Sequence, residues 1–130
     1  MMRLIDAAEY QQRKASLHRC YDKQMPYSIS CPPGWLSTVE EMLVMLELSL
    51  KPESFVKIRF LEISYRHSSP IFDYFSRDTI DKEDDERAFE IVNIYAQTAS
   101  DKCQVCGLPG KQVVKDGHYS MLCIVHSDLC

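Results

Sequence analysis

The spacing Cys103-x-x-Cys106 followed by Cys123-x-x-His126 constrains this chain more than any other feature in it. Two sulfur donors on one turn, with a sulfur and an imidazole on another, make up the four-donor set that a tetrahedral Zn²⁺ takes in a closed structural site. The pattern assigns Cys103, Cys106, Cys123 and His126 as metal ligands. Cys130 and His118 lie close enough in sequence to replace His126, but the C-x-x-H spacing suits the opening of a helix, where positions i and i+3 share a face.

The residues between the two pairs point the same way. Gly107 supplies the permissive backbone that a tight turn around metal-bound sulfur requires. Gln112-Val113-Val114-Lys115 and His118-Tyr119-Ser120-Met121-Leu122 flank Asp116-Gly117, the strongest short-range signal for a two-residue hairpin turn. A knuckle, a hairpin and a helix start, in that order, predict a treble-clef-like finger over 101–130, with a zinc ribbon as the near alternative. Three other uses of the six cysteines compete with this one. A disulfide framework would need a secretory context, and Met1-Met2-Arg3-Leu4-Ile5-Asp6 has no apolar signal core. A redox C-x-x-C sits between a strand and a helix, whereas this one runs into Gly107 and a hairpin. Catalytic zinc keeps one coordination position open, and here four ligands are at hand. The expected location is a reducing cytoplasm. The apolar run from Val39 to Leu50 is broken by Glu40, Glu41 and Glu47, so no membrane span is expected.

The preceding 100 residues read as an α+β body in which three helices pack on a β-hairpin. Helices are predicted over about 6–24, 37–50 and 81–99, and strands over about 55–66 and 71–75. Asp6 is a plausible cap for the first helix, whose apolar side (Tyr10, Leu17, Tyr21) is thin. Prolines and Gly34 make 25–34 a loop, and Trp35 follows as a packing anchor or an interface residue. Ser37-Thr38-Val39-Glu40 has the form of a capping box. Val39, Met42, Leu43, Leu46 and Leu50 then recur at helical spacing, with Val44, Met45 and Leu48 widening the stripe, before Pro52. From Val56 the period becomes two, and its phase flips at Phe60-Leu61, which predicts a β-bulge. Ala88, Ile91, Val92, Tyr95 and Ala99 mark the third helix.

Charge narrows the functional classes. The chain carries 15 Lys and Arg against 19 Asp and Glu, and residues 53–100 hold the whole acidic excess. Asp81, Glu83, Asp84, Asp85 and Glu86 gather at the third helix start, either as a solvated complement to its positive end or as a partner-binding surface to which Trp35 could add. Lys57, Arg59, Arg66, Lys111 and Lys115 are the candidates for a nucleic-acid surface. No phosphate-binding glycine loop, H-E-x-x-H, G-x-S-x-G or deaminase triplet is present, and the finger contains no glutamate to activate a metal-bound water. No enzyme and no small-molecule substrate are therefore expected.

The order of features from Gly34-Trp35, through an alternating strand pair and a helix ending near Ser100, to Cys103-Gln104-Val105-Cys106-Gly107, Gly110, Tyr119 and Leu122-Cys123-x-x-His126, resembles a family of small proteins of bacteria and their phages. The resemblance covers about two-thirds of the chain; where that family has a lysine-rich, glycine-containing strand, this chain has Val56-Lys57-Ile58-Arg59-Phe60-Leu61. It implies zinc binding and an origin on a mobile element. The expected function is a non-enzymatic, zinc-stabilised interaction protein that binds and inhibits or modulates a host protein complex, in the manner of an anti-defence, anti-CRISPR-like or transcription-directed inhibitor. A zinc-finger regulator that binds nucleic acid is the alternative.

Overall fold

A computed structural model describes residues 5–26, 29–77 and 79–127. It is an α+β fold with two β-hairpins, the second carrying the Cys3His cluster. Helix α1 (Ala7–Cys20) opens as expected, with the Asp6 carboxylate accepting from the Glu9 amide at 2.7 Å. It stops at Cys20, short of the expected 24, where the Tyr21 amide turns back to Leu17 and loop bonding takes over.

A 3-10 turn (Pro33–Trp35) leads directly into α2 (Leu36–Ser49), one residue before the predicted start. The capping box does not form, because its two side chains are engaged elsewhere. Arg13 from α1 bonds both the Glu40 carboxylate and the Ser37 hydroxyl, joining the two helices. Val39, Met42, Leu43, Leu46 and Leu50 are buried as their spacing predicts. Val44, Met45 and Leu48 are not part of that stripe: they are 44, 40 and 76% exposed, on the side of α2 turned away from the core.

Pro52 ends one helix and begins another, since its fixed φ suits a first helical position. The short helix α3 (Pro52–Phe55) therefore delays β1 (Ile58–Arg66) beyond the expected residue 55. β1 pairs antiparallel with β2 (Ser69–Ser76), and the register slips between Phe60 and Glu62, the bulge that the phase flip announces. The turn consists of His67 and Ser68, both at positive φ (51° and 66°), so Ser69 and Pro70 already belong to β2. Helix α4 (Lys82–Ser100) runs antiparallel to α2. At one end Arg87 donates to the Ser49 carbonyl and Asp84 accepts from the Lys51 amide; at the other, Lys102 Nζ reaches Thr38 Oγ1 at 2.7 Å. Ile58, Phe60 and Ile63 from the sheet meet Leu43 and Leu46 of α2 and Ala88, Ile91 and Val92 of α4 in one core.

The finger follows without a linker. Hairpin β3 (Lys111–Lys115) and β4 (His118–Leu122) closes on Asp116 and Gly117, at φ 52° and 79°. It ends in α5 (Ile124–Ser127), a single helical turn. Among the described residues no helix is long and apolar enough to cross a membrane.

Candidate metal centre

Cys103, Cys106, Cys123 and His126 converge, with one donor atom from each lying within 4.8 Å of every other. Cys106 Sγ is 3.7 Å from Cys123 Sγ, and His126 Nδ1 lies 3.1 Å from Cys123 Sγ and 3.5 Å from Cys103 Sγ. A tetrahedron with metal–sulfur bonds of about 2.3 Å and metal–nitrogen bonds of about 2.0 Å has sulfur–sulfur and sulfur–nitrogen edges of roughly 3.8 and 3.5 Å. The donor set therefore fits a single ion of that size, and its chemistry suits Zn²⁺. Cys103, Cys123 and His126 are buried, and Cys106 is partly so.

Backbone geometry around the two turns prepares the sulfurs. Gly107, at φ 83°, lets its amide return to the Cys103 carbonyl at 2.9 Å, while the Cys103 amide donates to the Leu108 carbonyl. Amide hydrogens also reach sulfur: Leu108 donates to Cys106, and His126 donates to Cys123. The His126 amide is the main reason the Cys123 thiol is held down to about 6. Burial, opposed in part by the Leu108 amide, pushes Cys106 up to about 11. A cation placed among the three sulfurs would displace the remaining thiol protons, as thiolate ligation requires.

Of the alternative fourth ligands, His118 is exposed at the turn end of the hairpin, paired with Lys115 across the strands. Cys130 lies outside the described residues. His126 is the imidazole that faces the sulfurs.

The finger is built onto the body through Gly34 and Trp35. The Gly34 amide donates to the Gln104 carbonyl at 2.7 Å, and the fully buried Trp35 indole N–H donates to the Lys102 carbonyl at 2.9 Å. A Cβ on Gly34 would stand 2.2 Å from the Cys103 carbonyl oxygen. On the other side, Gln112 Nε2 bonds Ser68 Oγ, and the His67 and Tyr119 rings meet edge to face at 5.6 Å, so the finger hairpin also touches the tip of the body hairpin. The special role of Gly34 was not legible from its neighbours in sequence; the adjoining Gly34-Trp35 pair was the one available signal.

The remaining candidates separate. Trp35 is an internal anchor, stacked edge to face on Tyr65, and presents no surface to a partner. Asp84 is folded inward, where a bond from Ser54, the Lys51 amide and nearby cations hold its carboxyl below the ordinary carboxylate value. Asp81, Glu83, Asp85 and Glu86 stay at the surface, with Asp81 paired to Lys51 and Glu86 to Lys82. The basic candidates do not form one patch. Lys57 caps the Thr79 carbonyl at one end of the body hairpin, Arg66 sits at the other, and Glu62 opposite Asp73 lies between Arg59 and Arg66 on the same sheet face. Lys111 and Lys115 share the finger face opposite to the one that Gln112 and Tyr119 present to the body.

No protein-family model, curated protein or solved structure matches the chain.

Proposed function

We propose that the protein is a zinc-stabilised protein-interaction module whose metal is scaffold and not reagent. The observation that carries this reading is the closure of the donor set: three sulfurs and one imidazole face one another, three of the four residues are buried, and each position of a tetrahedron is accounted for. Bound there, Zn²⁺ would supply a cross-link between the knuckle and the start of α5.

The energetics support a structural role. The finger's own apolar cluster consists of Cys103, Leu122 and Cys123, backed by Cys106 and Val113. Burying side chains of that size contributes about 2 kcal/mol each, whereas ordering the backbone costs about 1–2 kcal/mol for every residue. The segment is therefore too poor in core to hold its shape alone. A closed structural zinc site contributes about 10 kcal/mol or more toward offsetting that cost.

A binding role for the body is supported by what the fold leaves outside. Leu48, Phe89 and Ile94 are all more than half exposed, and the acidic start of α4 keeps Glu83, Asp85 and Glu86 in solvent. The partner is a protein, and modulation or inhibition of a host complex is the form the activity takes. Dispersed lysines and arginines separated by carboxylates make a nucleic-acid partner the weaker reading.

Two measurements test this. Elemental analysis of purified protein should find about one zinc per chain. Capture from host lysate, with and without nuclease, should return a partner that survives nuclease and added salt. An absence of bound metal would remove the scaffold, and loss of every partner on nuclease treatment would hand the assignment to nucleic acid.

A further inference from the structure

We infer that the outer edge of β2, with the flank of α4 beside it, is a groove that takes an extended, basic segment of a partner protein as a third strand of the body hairpin. This deepens the protein-binding reading above and rests on it.

The phase of the hairpin decides which backbone groups are free. The Phe60 amide donates to the Gln24 carbonyl at 2.8 Å, and the Ile63 carbonyl accepts from Ser30 at 2.9 Å, so at these two positions β1 turns its hydrogen-bonding groups away from β2. In an antiparallel pair, residues directly opposite share that orientation. Their partners Tyr74 and Phe72 therefore aim their own N–H and C=O groups outward from β2. On the β1 side the loop through Gln24 and Ser30 covers the edge. On the β2 side, among the described residues, no backbone bond covers Phe72 or Tyr74. Natural sheets protect such an edge with lysine, proline or a covering segment. Here Pro70 protects only its first turn.

The edge opens into a groove of about 360 Å³ between strand and helix, lined by Phe72, Tyr74, Phe75, Asp85, Phe89 and Val92. Phe89 is 62% exposed and Phe75 40%, so the groove offers aromatic surface with no occupant from this chain's described residues. Strand edge, neighbouring helix and side-chain pocket are the parts used when an extended peptide joins a sheet: the backbone pairs, and alternate side chains enter the pocket.

Charge selects the occupant. Asp73 stands directly opposite Glu62 on the outer sheet face, and Asp85 borders the groove from α4. The Tyr74 phenol, raised by burial and then by the Asp85 carboxylate, places that charge beside the strand. A second copy paired antiparallel about Asp73 would set the two Asp73 carboxylates against each other, which is unfavourable for directly facing residues. A strand with apolar side chains toward Phe72 and Phe89 and arginine or lysine toward Asp73 and Glu62 satisfies both faces.

The test uses the full zinc-loaded chain and three synthetic peptides: valine alternating with arginine, valine alternating with glutamate, and the arginine peptide N-methylated at alternate residues. The arginine peptide should bind and slow amide exchange at Phe72 and Tyr74 by about ten-fold or more, with affinity falling about ten-fold in Asp73→Lys and in Phe89→Glu. Both positions are exposed, and far-UV circular dichroism checks that each variant folds. Equal binding of the glutamate or N-methylated peptide would overturn the inference. So would sedimentation showing that Phe72 and Tyr74 become protected by self-association alone. In the lysate capture, a nuclease-resistant partner retained by Phe89→Glu would place the partner elsewhere, removing this groove while leaving the protein-binding function intact. Wild type that captures no protein removes the function itself.

Discussion

Gly34→Ala separates two opposed effects by sign. Gly34 is not in the left-handed region, so alanine can adopt its backbone, and considered locally the change should stabilise by about 0.4–1 kcal/mol through a less flexible unfolded chain. The finger reverses that expectation. The new Cβ would lie 2.2 Å from the Cys103 carbonyl oxygen and 2.8 Å from the Gln104 carbonyl carbon. Both neighbours are backbone, held by the knuckle, and cannot swing aside. Relief requires the finger to withdraw by roughly 1 Å, which stretches the Gly34 to Gln104 bond and the Trp35 indole bond to Lys102, now 2.7 and 2.9 Å. Two neutral hydrogen bonds are worth about 1 kcal/mol each, one of them leaving a buried indole donor unpaired, and forced overpacking adds about 1–3 kcal/mol. Set against the local gain, Gly34→Ala should destabilise by about 2–4 kcal/mol and speed zinc loss to a chelator. Urea unfolding followed by tryptophan fluorescence measures the first, since Trp35 is the single tryptophan, and a metallochromic dye measures the second. A neutral or stabilised Gly34→Ala protein with unchanged zinc retention would refute the close docking of knuckle on body.

Three further outcomes are expected. Cys103→Ser, or removal of metal by a chelator, should lower bound zinc to near zero and strip amide protection from β3 and β4 while α2 retains it, because the finger has little core of its own; loss of protection in α2 to the same extent would instead show one cooperative unit, checked by hydrogen exchange. Gly117→Ala should cost only the strain of a positive φ, about 1 kcal/mol, since nothing lies near its Cβ, whereas Gly107→Ala adds a 2.7 Å approach to the Gly34 carbonyl and should cost clearly more; equal urea midpoints would contradict this. Asp84, held below its ordinary value of 3.8 chiefly by the bond from Ser54, contributes stability that is complete above that value and is lost as pH falls through the lower folded one. Asp84→Asn should therefore be less stable than wild type at neutral pH and should lose less stability between neutral pH and pH near 2, as urea midpoints across that range would report.

Short-range chemistry was legible in the residues themselves. The C-x-x-C and C-x-x-H spacings, the Asp116-Gly117 turn, the Asp6 cap and the phase flip at Phe60-Leu61 each concern atoms a few residues apart, where local geometry leaves few alternatives. The capping box at Ser37 and Glu40 has an equally local form, yet it does not form, because Arg13 from another helix competes for both side chains. Periodicity predicted an apolar stripe on α2 but not how wide a face its neighbours could cover, so Val44, Met45 and Leu48 remain in solvent. Nor could it tell Asp84, turned inward to Lys51 and Ser54, from Asp85, turned outward toward the β2 groove, since one helical step separates a buried face from an exposed one. Sequence alone determined that four metal donors lie on two turns joined by a hairpin. Tertiary structure decided that those turns sit against Gly34 and Trp35, and which strand edge stays open, because both depend on which distant surfaces meet.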